Sequence, residues 1–281
     1  MALDIAPLRQ WIGRQETVGD SVPPFPAAAL AATLDRDDAP GIGEPLPPLW
    51  HWIYFRELHK HAELAENGHA GLGGFLPPVP LPRRMFAGAR VSFPRPLRIG
   101  EQARRVSTLA DVSLKKGGGG DLIFVRVHHE IAGAGEPAII EEQDLVYREA
   151  PRPGQPEPAP LHPPAKAVWK HEIKTDAALL FRYSALLFNA YRIHYDRPFA
   201  LEQGYVGLVV HGQLIATLLA DLVRRNTDRP IKAFRFRAVR PLVDGSPCVV
   251  CGVPNGSTVN LWAEEGNGAL VMQAEAHLSD R

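Results

Sequence analysis

Two neighbouring segments, FNAYRIHYDRPFA at residues 188–200 and GLVVHGQL at residues 207–214, determine how the rest of the chain is interpreted. The first places Asn189, Arg192, His194 and Asp196 in one short run, which lies between apolar stretches. The second is an apolar run that ends in His211-Gly212, directly before a helical pattern. A histidine beside a helix start brings a proton-transfer group close to backbone N–H donors that have no partner within the helix. The two segments therefore predict a site for acid–base chemistry at the beginning of a helix.

The composition is that of a globular protein without a strongly charged partner. The chain has 281 residues, of which 45% are hydrophobic, enough for a large buried core. Its 31 basic residues balance its 31 acidic residues, so the formal net charge is zero. Proteins that bind nucleic acid or a membrane surface usually carry a basic excess, so we expect neither partner. No segment resembles a transmembrane helix or a signal peptide, and we expect a cytoplasmic protein.

The N-terminal part of the chain is predicted to be helical first and β-structured afterwards. Helical patterns cover residues 3–13, 25–34 and 50–65, and a proline-dense segment follows at residues 76–84. From residue 85 the pattern changes to the alternation of β-strands, at residues 90–93, 102–116, 122–132 and 138–148. The glycine-rich KKGGGGD between the second and third of these segments predicts a hairpin turn. Helices followed by an antiparallel meander are therefore expected.

A proline-rich boundary at residues 150–164, APRPGQPEPAPLHPP, separates two parts of similar organisation. Seven of these fifteen residues are proline, which predicts an extended, semi-rigid linker. After it the order repeats, with helical patterns at residues 177–188 and 211–224 and strand patterns at residues 231–239, 247–253, 258–264 and 269–277. We predict an N-terminal half at residues 1–149 and a C-terminal half at residues 165–281. Each half should be α+β, with a helix on an antiparallel sheet, and the two sheets should join edge to edge.

The quoted motif resembles that of the MaoC-like, R-specific enoyl-CoA hydratase family, whose fold is the hotdog. Asn189 stands where that family has its catalytic Asp, His194 stands where it has its catalytic His, and His211-Gly212 matches the pair at the helix start. A branch of mesaconyl-C4-CoA and itaconyl-CoA hydratases and 3-hydroxyacyl-thioester dehydratases has Phe-Asn-x-His-x-Ile-His-Tyr-Asp. FNAYRIHYD is similar to this pattern except at Tyr191, where His is expected. GGFLPPVPLPRRMFAG, at residues 73–88, also resembles this branch.

The resemblance covers most of the chain, and it implies a double hotdog with a degenerate N-terminal half and the catalytic motif in the C-terminal half. It also implies a hydro-lyase that acts on an acyl-CoA. Within the branch we expect a C5 dicarboxylyl-CoA, itaconyl-CoA or mesaconyl-C4-CoA, with citramalyl-CoA as the product. The alternatives are a 3-hydroxyacyl-thioester dehydratase for linear chains and a non-catalytic acyl-thioester-binding subunit. No cofactor is expected beyond the coenzyme A of the substrate, and the protein can assemble as a homodimer.

Hydration of an unsaturated thioester requires a base for water and donors for the thioester oxygen. His194 has a reference pKa near 6.5 and is the predicted base. Asn189 is expected to orient the water, because an amide cannot take the proton as a carboxylate does. The Gly212 N–H is the predicted oxyanion donor. Tyr191 and His211 are expected at the substrate, although His211 can equally serve as a packing residue at the helix start.

Several other residues were considered for binding roles. Arg192 either binds a substrate carboxylate or is a solvated charge. Asp196 is expected to cap the short helix that follows it. Arg235 and Arg237 share one strand face, where they either meet coenzyme A phosphates or form a solvated surface, and we favour the latter.

Other polar residues of the chain are given structural roles. Arg83 and Arg84 are interpreted as the polar end of the proline-dense segment. Cys248 and Cys251 are expected to be buried core residues, because residues three apart on a strand face opposite sides. The histidines show no metal-ligand spacing, so no metal site is predicted.

Overall fold

The computed structural model describes residues 3–71, 73–117, 120–150, 159–163 and 165–280. The strands in this part of the chain are β1 (Gln15–Asp20), β2 (Arg83–Ser92), β3 (Ala103–Gly117), β4 (Gly120–Ala132), β5 (Pro137–Arg148), β6 (Trp169–Ile173), β7 (Ile231–Ala238), β8 (Cys248–Asn255), β9 (Thr258–Glu265) and β10 (Leu270–Leu278). The α-helices are α1 (Ala6–Arg9), α2 (Pro24–Thr33), α3 (Ala177–Leu187), α4 (Arg197–Glu202) and α5 (Gly212–Asn226). Short 3-10 turns cover Trp50–Ile53, His61–Glu63 and Arg192–His194. In this part of the chain no helix has the length and apolarity needed to cross a membrane.

The strands form one sheet in the order β1-β3-β4-β5-β2-β7-β10-β9-β8-β6. Strands β2 and β7 join the sheet of the N-terminal half to that of the C-terminal half, and they are antiparallel. Ala89 pairs with Phe236 across this junction, and Gly88 pairs with Arg237. Joining the sheets gives each of these strands a partner on both sides, which removes two exposed edges. The predicted edge-to-edge arrangement is therefore the one observed.

Helix α5 is the centre of the C-terminal half. It packs against β6 to β10, and residues 214–223 are all buried. On β7, the alternation places Phe234 and Phe236 in the core, while Arg235 points outward. Because each fully buried large apolar side chain contributes roughly 1.5–3 kcal/mol, this helix supplies much of the stability of the C-terminal half.

The N-terminal half has no counterpart of α5 in its described residues. Between α2 and β2, only the 3-10 turns Trp50–Ile53 and His61–Glu63 have helical geometry. Without a long helix, strands β2 to β5 border a cavity of about 1200 Å³. In its described residues, the longest helix of this half is α2, with 10 residues against the 15 of α5.

Two of the predicted helices are wrong in extent. The helix expected at residues 3–13 is only the short α1, because the chain turns at Gly13, where φ is +89°. The helix expected at residues 50–65 is replaced by two 3-10 turns with an irregular segment between them. Phe55 in that segment has a φ of +52°, which is incompatible with a right-handed helix. Tertiary contacts of the aromatic residues therefore outweigh the helical pattern.

Strands β1 and β6 were not predicted, and both lie at the outer edges of the sheet. Strand β6 has no buried residue, and β1 alternates only between exposed and half-buried positions. An edge strand of this kind lacks the strong alternation of buried apolar residues on which strand prediction depends. The other eight strands correspond to predicted segments, although β2 begins earlier than expected, at Arg83. Most of the predicted linker lies outside the described residues.

The two cysteines are buried in the core, as predicted. Both lie on β8 as free thiols, and they belong to different apolar clusters on opposite faces of the sheet. Burial raises the pKa of Cys248 to about 12 and that of Cys251 to about 11. Thiols with such pKa values are protonated at neutral pH and are therefore unreactive.

Candidate active site

The cavity between the two halves brings together most of the predicted site residues. Its wall includes Trp52, His69 and Phe86 from the N-terminal half. Of the predicted residues, those in its wall are Asn189, Tyr191, His194, His211 and Gly212. Arg192 does not border the cavity. One wall of the site is therefore the motif of residues 188–214, and the opposite wall belongs to the other half.

His194 is held as a neutral imidazole with one free nitrogen. It ends the 3-10 turn Arg192–His194 and is 8% exposed. Its Nδ1 lies 2.7 Å from the carbonyl oxygen of Val209, and because a carbonyl only accepts, Nδ1 carries the proton. Burial lowers the pKa of His194 to about 4, although the hydrogen bond to Val209 acts in the opposite direction. At neutral pH, Nε2 therefore has a free lone pair and can accept a proton.

His211 stacks on His194. The two ring centroids are 3.7 Å apart, and the rings are nearly parallel, at 17°. The Nε2 of His211 is joined to Ser184 Oγ by a hydrogen bond of 2.8 Å. Burial, and then the nearby His194, lower the pKa of His211 well below its usual value. Burial disfavours a positive charge on either ring, and a charge on one ring would disfavour a second charge on the other.

Asn189 is fixed by the end of helix α3. The helix stops because Phe188 adopts a left-handed conformation, with φ of 53°, and the Asn189 N–H then donates to the Ser184 carbonyl at 2.9 Å. The side-chain oxygen of Asn189 accepts a 3.0 Å hydrogen bond from the Tyr191 N–H, which forms an Asx turn. Its acceptor is thus used within the loop. The amide NH₂ group supplies the donors with which Asn189 can contact a ligand.

Gly212 is the first residue of α5, a helix of 15 residues. The N–H groups of the first helical turn have no acceptor within the helix, and they carry the positive end of the helix dipole. A Cβ atom placed on Gly212 would lie 3.8 Å from the ring of Phe86 on the opposite wall. The helix start is therefore close to a side chain of the N-terminal half, and a thioester oxygen between them would meet the backbone donors.

A loop of the N-terminal half, residues 66–70, packs directly on the catalytic motif. The ring of His69 lies 3.9 Å from that of Tyr191, measured between centroids. Gly68 has a φ of +87°, and a Cβ atom there would overlap the carbonyl oxygen of Ala190. Only glycine allows this close approach at a left-handed position without strain. The two halves therefore depend on each other for the shape of the site.

Arg192 and Asp196 lie outside the cavity and pair with each other. The Nε and Nη2 atoms of Arg192 lie 2.9 and 2.8 Å from one oxygen of Asp196. The other oxygen of Asp196 accepts from the Phe199 N–H at 3.1 Å and caps α4, as predicted. The backbone N–H of Arg192 donates to the carbonyl of Asn67. Because its guanidinium already has a carboxylate, the geometry does not support the substrate-binding role predicted for Arg192.

The two arginines of β7 differ in their surroundings. Arg235 forms an ion pair of 2.8 Å with Glu275, and its side chain is 64% exposed, which fits the solvated face that we favoured. Arg237 donates a 3.0 Å hydrogen bond to Gln273 and borders the cavity. A contact between Arg237 and the phosphates of coenzyme A remains a prediction.

A buried polar cluster in the N-terminal half was not predicted. The carboxylate of Glu141 is 2% exposed and lies 2.9 Å from His51 Nε2. Its other oxygen accepts hydrogen bonds of 2.9 Å from Trp52 and from Gln143. Burial acts to raise the pKa of Glu141, but the hydrogen bond to His51 and its charge outweigh this and lower the pKa to about 2. An ionised, fully hydrogen-bonded carboxylate therefore fixes this wall of the cavity.

No local pattern indicated this cluster, because its members are far apart in the chain and meet only in the folded structure. In the described part of the chain, no group of three or more His, Cys, Asp or Glu side chains is arranged to hold a metal ion. Arg83 and Arg84 also border the cavity, at the start of β2, and their interpretation as the polar end of a loop is incomplete.

A family model for hydroxyacyl-thioester dehydratase type 2 matches residues 49–244, which include the motif, the loop at residues 66–70 and α5. The chain belongs to this family. A mesaconyl-C(4)-CoA hydratase of Chloroflexus aurantiacus is 48% identical to the chain over 273 residues, which are 95% of the chain and 96% of that protein. The predicted family membership is confirmed. So is the prediction of an enzyme, a hydro-lyase of the hydratase and dehydratase type that acts on an acyl-CoA thioester.

Solved structures establish the fold. A MaoC-like dehydratase of Phytophthora capsici superimposes with a TM-score of 0.68, at 14% identity, and the match covers 99% of this chain and 98% of that one. HtdX of Mycobacterium tuberculosis gives a TM-score of 0.66 at 15% identity, covering 95% of this chain and all of that one. The α+β double hotdog is therefore confirmed.

Proposed function

We propose that the protein hydrates mesaconyl-C4-CoA to citramalyl-CoA. The observation that carries this proposal is the 48% identity, over 95% of the chain, to a mesaconyl-C(4)-CoA hydratase. In this reaction water adds to the double bond next to the thioester. The hydroxyl group goes to Cβ, which bears the methyl group and the free carboxylate, and a proton goes to Cα. Itaconyl-CoA, whose hydration also gives citramalyl-CoA, is the second substrate that we propose.

In the proposed mechanism His194 activates the water. Its Nε2 is unprotonated at neutral pH, because Nδ1 donates to the Val209 carbonyl and burial disfavours the imidazolium. Nε2 takes one proton of the water while the oxygen attacks Cβ. The Asn189 amide, whose oxygen is held by the Tyr191 N–H, orients the water through its NH₂ donors. General-base help of this kind contributes about 10²–10⁴-fold to the rate.

The attack makes the thioester an enolate, whose oxygen becomes negative. The N–H of Gly212, at the positive end of α5, is the proposed donor to that oxygen. The imidazolium of His194 then returns its proton to Cα, which restores the neutral pair of histidines. Because burial disfavours the imidazolium, this return is favourable. Tyr191 is proposed to contact the acyl group from the side of His194.

The remaining predictions follow from this arrangement. We propose that the N-terminal half, residues 1–149, forms the acyl pocket, and that the C-terminal half, residues 165–281, carries the catalytic residues. Residues 150–164 join them. The proposed reaction needs no cofactor beyond the coenzyme A of the substrate. A cytoplasmic homodimer is the proposed state of the protein, and sedimentation of the purified chain measures its mass.

A second candidate function is the dehydration of linear 3-hydroxyacyl thioesters. The observation that favours it is the size of the cavity, about 1200 Å³, with apolar walls that include Trp52 and Phe86. Such a space exceeds what a C5 acyl group fills, although it must also hold the pantetheine arm. The same catalytic residues would act in the reverse direction.

A panel of substrates distinguishes the two candidates. The purified wild-type protein is incubated with mesaconyl-C4-CoA, itaconyl-CoA, crotonyl-CoA and a long-chain enoyl-CoA, and the products are quantified by chromatography. The proposal predicts that a C5 dicarboxylyl thioester gives the highest kcat/KM. Faster turnover of the linear substrates would establish the second function instead.

A further inference from the structure

Two arginines at the start of β2 bring positive charge to the cavity, and the described part of the chain places no carboxylate against them. Arg83 is only 8% exposed, Arg84 is half-buried, and both border the cavity. Among the described residues, no carboxylate lies within ion-pair distance of either guanidinium. The Nε of Arg83 is buried and has no hydrogen-bond partner there, and its guanidinium carbon lies 5.0 Å from the ring centre of Tyr205. Burying a cation without a carboxylate and with an unpaired N–H group is costly. The arrangement therefore indicates that a ligand supplies the anion.

Another arginine of the same strand shows the contrast. Arg90 points away from the cavity, and it forms ion pairs of 2.8 Å with Glu142 and 2.9 Å with Asp144. At the cavity wall, Arg105 also contacts carboxylates, those of Glu16 and Glu57. Arg83 and Arg84 therefore differ from Arg90 and Arg105, each of which has carboxylate partners.

The two arginines border the same cavity as His194, and Arg83 lies over the ring of Tyr205, which packs against Tyr191. The Tyr191 ring contacts His69 at 3.9 Å and His194 at 5.7 Å, measured between ring centroids. Burial raises the pKa of Tyr191, and the charges of Arg83 and Arg84 oppose that rise. Burial, then Arg84, then His194 lower the pKa of His69 to about 2. All five side chains therefore border one cavity, in which Tyr191 contacts both His69 and the proposed base, His194.

We propose that Arg83 and Arg84 bind the free carboxylate of a dicarboxylyl-CoA substrate and so determine specificity. This inference rests on the proposed function. In mesaconyl-C4-CoA the free carboxylate is attached to Cβ, the carbon that receives water from His194. An anion-binding site for it must therefore lie in the same cavity as the base, and these arginines border that cavity. A guanidinium binds a carboxylate through two parallel hydrogen bonds, which also fixes the orientation of Cβ.

The proposal predicts discrimination against a methyl group. Two pairs of substrates differ only by a carboxylate and a methyl group at one position of Cβ: mesaconyl-C4-CoA with 3-methylcrotonyl-CoA, and fumaryl-CoA with crotonyl-CoA. The methyl compounds leave the arginines buried without an anion. A buried charge that loses its partner costs about 2–5 kcal/mol, so wild-type kcat/KM should favour each carboxylated compound by at least about 30-fold.

The test measures kcat/KM for both pairs with the Arg83→Met and Arg84→Met variants and with Arg90→Met as the control on the same strand. Each of the first two variants should lower kcat/KM for the carboxylated compounds about 100-fold and change that for the methyl compounds less than about threefold. Arg90→Met should change neither. The retained activity on crotonyl-CoA also shows that the variants fold.

Equal losses on both members of a pair would overturn the proposal, because they would indicate a structural role. Unchanged preference in both variants would overturn it too. If either methionine variant fails to fold, Arg83→Lys and Arg84→Lys keep the charge without the planar guanidinium. The proposal then requires losses confined to the carboxylated compounds. Failure of the wild type to hydrate mesaconyl-C4-CoA at all would instead refute the proposed function, and the variants are not needed for that result.

Discussion

The pH dependence of hydration follows from the burial of His194. Burial lowers the pKa of this histidine to about 4. With that pKa about 90% of the free enzyme has an unprotonated base at pH 5, whereas an ordinary histidine with a pKa near 6.5 would leave about 3%. The two cases differ about 30-fold in kcat/KM at this pH. The test therefore compares the wild-type rate at pH 7 with that at pH 5.

The assay is the initial rate of mesaconyl-C4-CoA hydration at substrate concentrations far below KM. Under that condition the rate reports kcat/KM, whose pH profile gives the pKa values of the free enzyme. We expect a plateau that extends down to pH 5, with the acid limb below it. An acid limb between pH 6 and pH 7 would contradict the lowered pKa of His194, because the base would then titrate as a solvated histidine.

Stability must be followed in the same experiment. The pKa of His194 is about 4 in the folded protein and near 6.5 in the unfolded chain, so the unfolded state binds more protons between these values. The stabilising contribution of the neutral ring is complete above pH 6.5 and is lost as the pH falls towards 4. At pH 5 the loss is about 2 kcal/mol for this residue. Burial lowers the pKa of His129 in the same way, to about 4, so unfolding by urea should become easier on acidification.

Three substitutions test other parts of the account. Gly68→Ala places a Cβ atom against the carbonyl of Ala190 and should lower both activity and thermal stability, whereas Gly73→Ala, also at positive φ but with no atom nearby, should leave activity unchanged. Equal losses of activity in the two variants would show that the contact between Gly68 and Ala190 has no special role. Asn189→Ala removes the donors to water and should lower kcat about 100-fold, with little change in the melting temperature; undiminished kcat would contradict this role. Glu141→Gln weakens a buried network around an ionised carboxylate and should cost about 1–3 kcal/mol in urea unfolding, and an unchanged midpoint would contradict it.

The sheet could be predicted because its central strands have strong patterns. LIFVRVHHEI on β4 and the alternating Phe234 and Phe236 on β7 place apolar residues on buried positions. Edge strands β1 and β6 could not be predicted in this way, because they bury little. The helix expected at residues 50–65 failed because its aromatic residues pack on the sheet in 3-10 and left-handed conformations.

The catalytic wall could be anticipated because its residues are close in sequence. His194, His211 and Gly212 belong to one motif. His211 and Gly212 lie at the start of α5, and the ring of His194 stacks on that of His211. The opposite wall could not, because Glu141 meets His51 only through the pairing of distant elements. Arg83 and Arg84 are likewise far in sequence from the motif, and only the folded structure places them at the same cavity.

His194 is the proposed base for the hydration of mesaconyl-C4-CoA. The most direct measurement is the formation of citramalyl-CoA from mesaconyl-C4-CoA by the wild type, His194→Gln and His162→Gln. His162 is exposed, contacts Gly268 and does not border the cavity, so its variant is the matched control. We predict that His194→Gln lowers kcat at least about 100-fold while His162→Gln retains it. Wild-type turnover that persists in His194→Gln would contradict the assignment of the base.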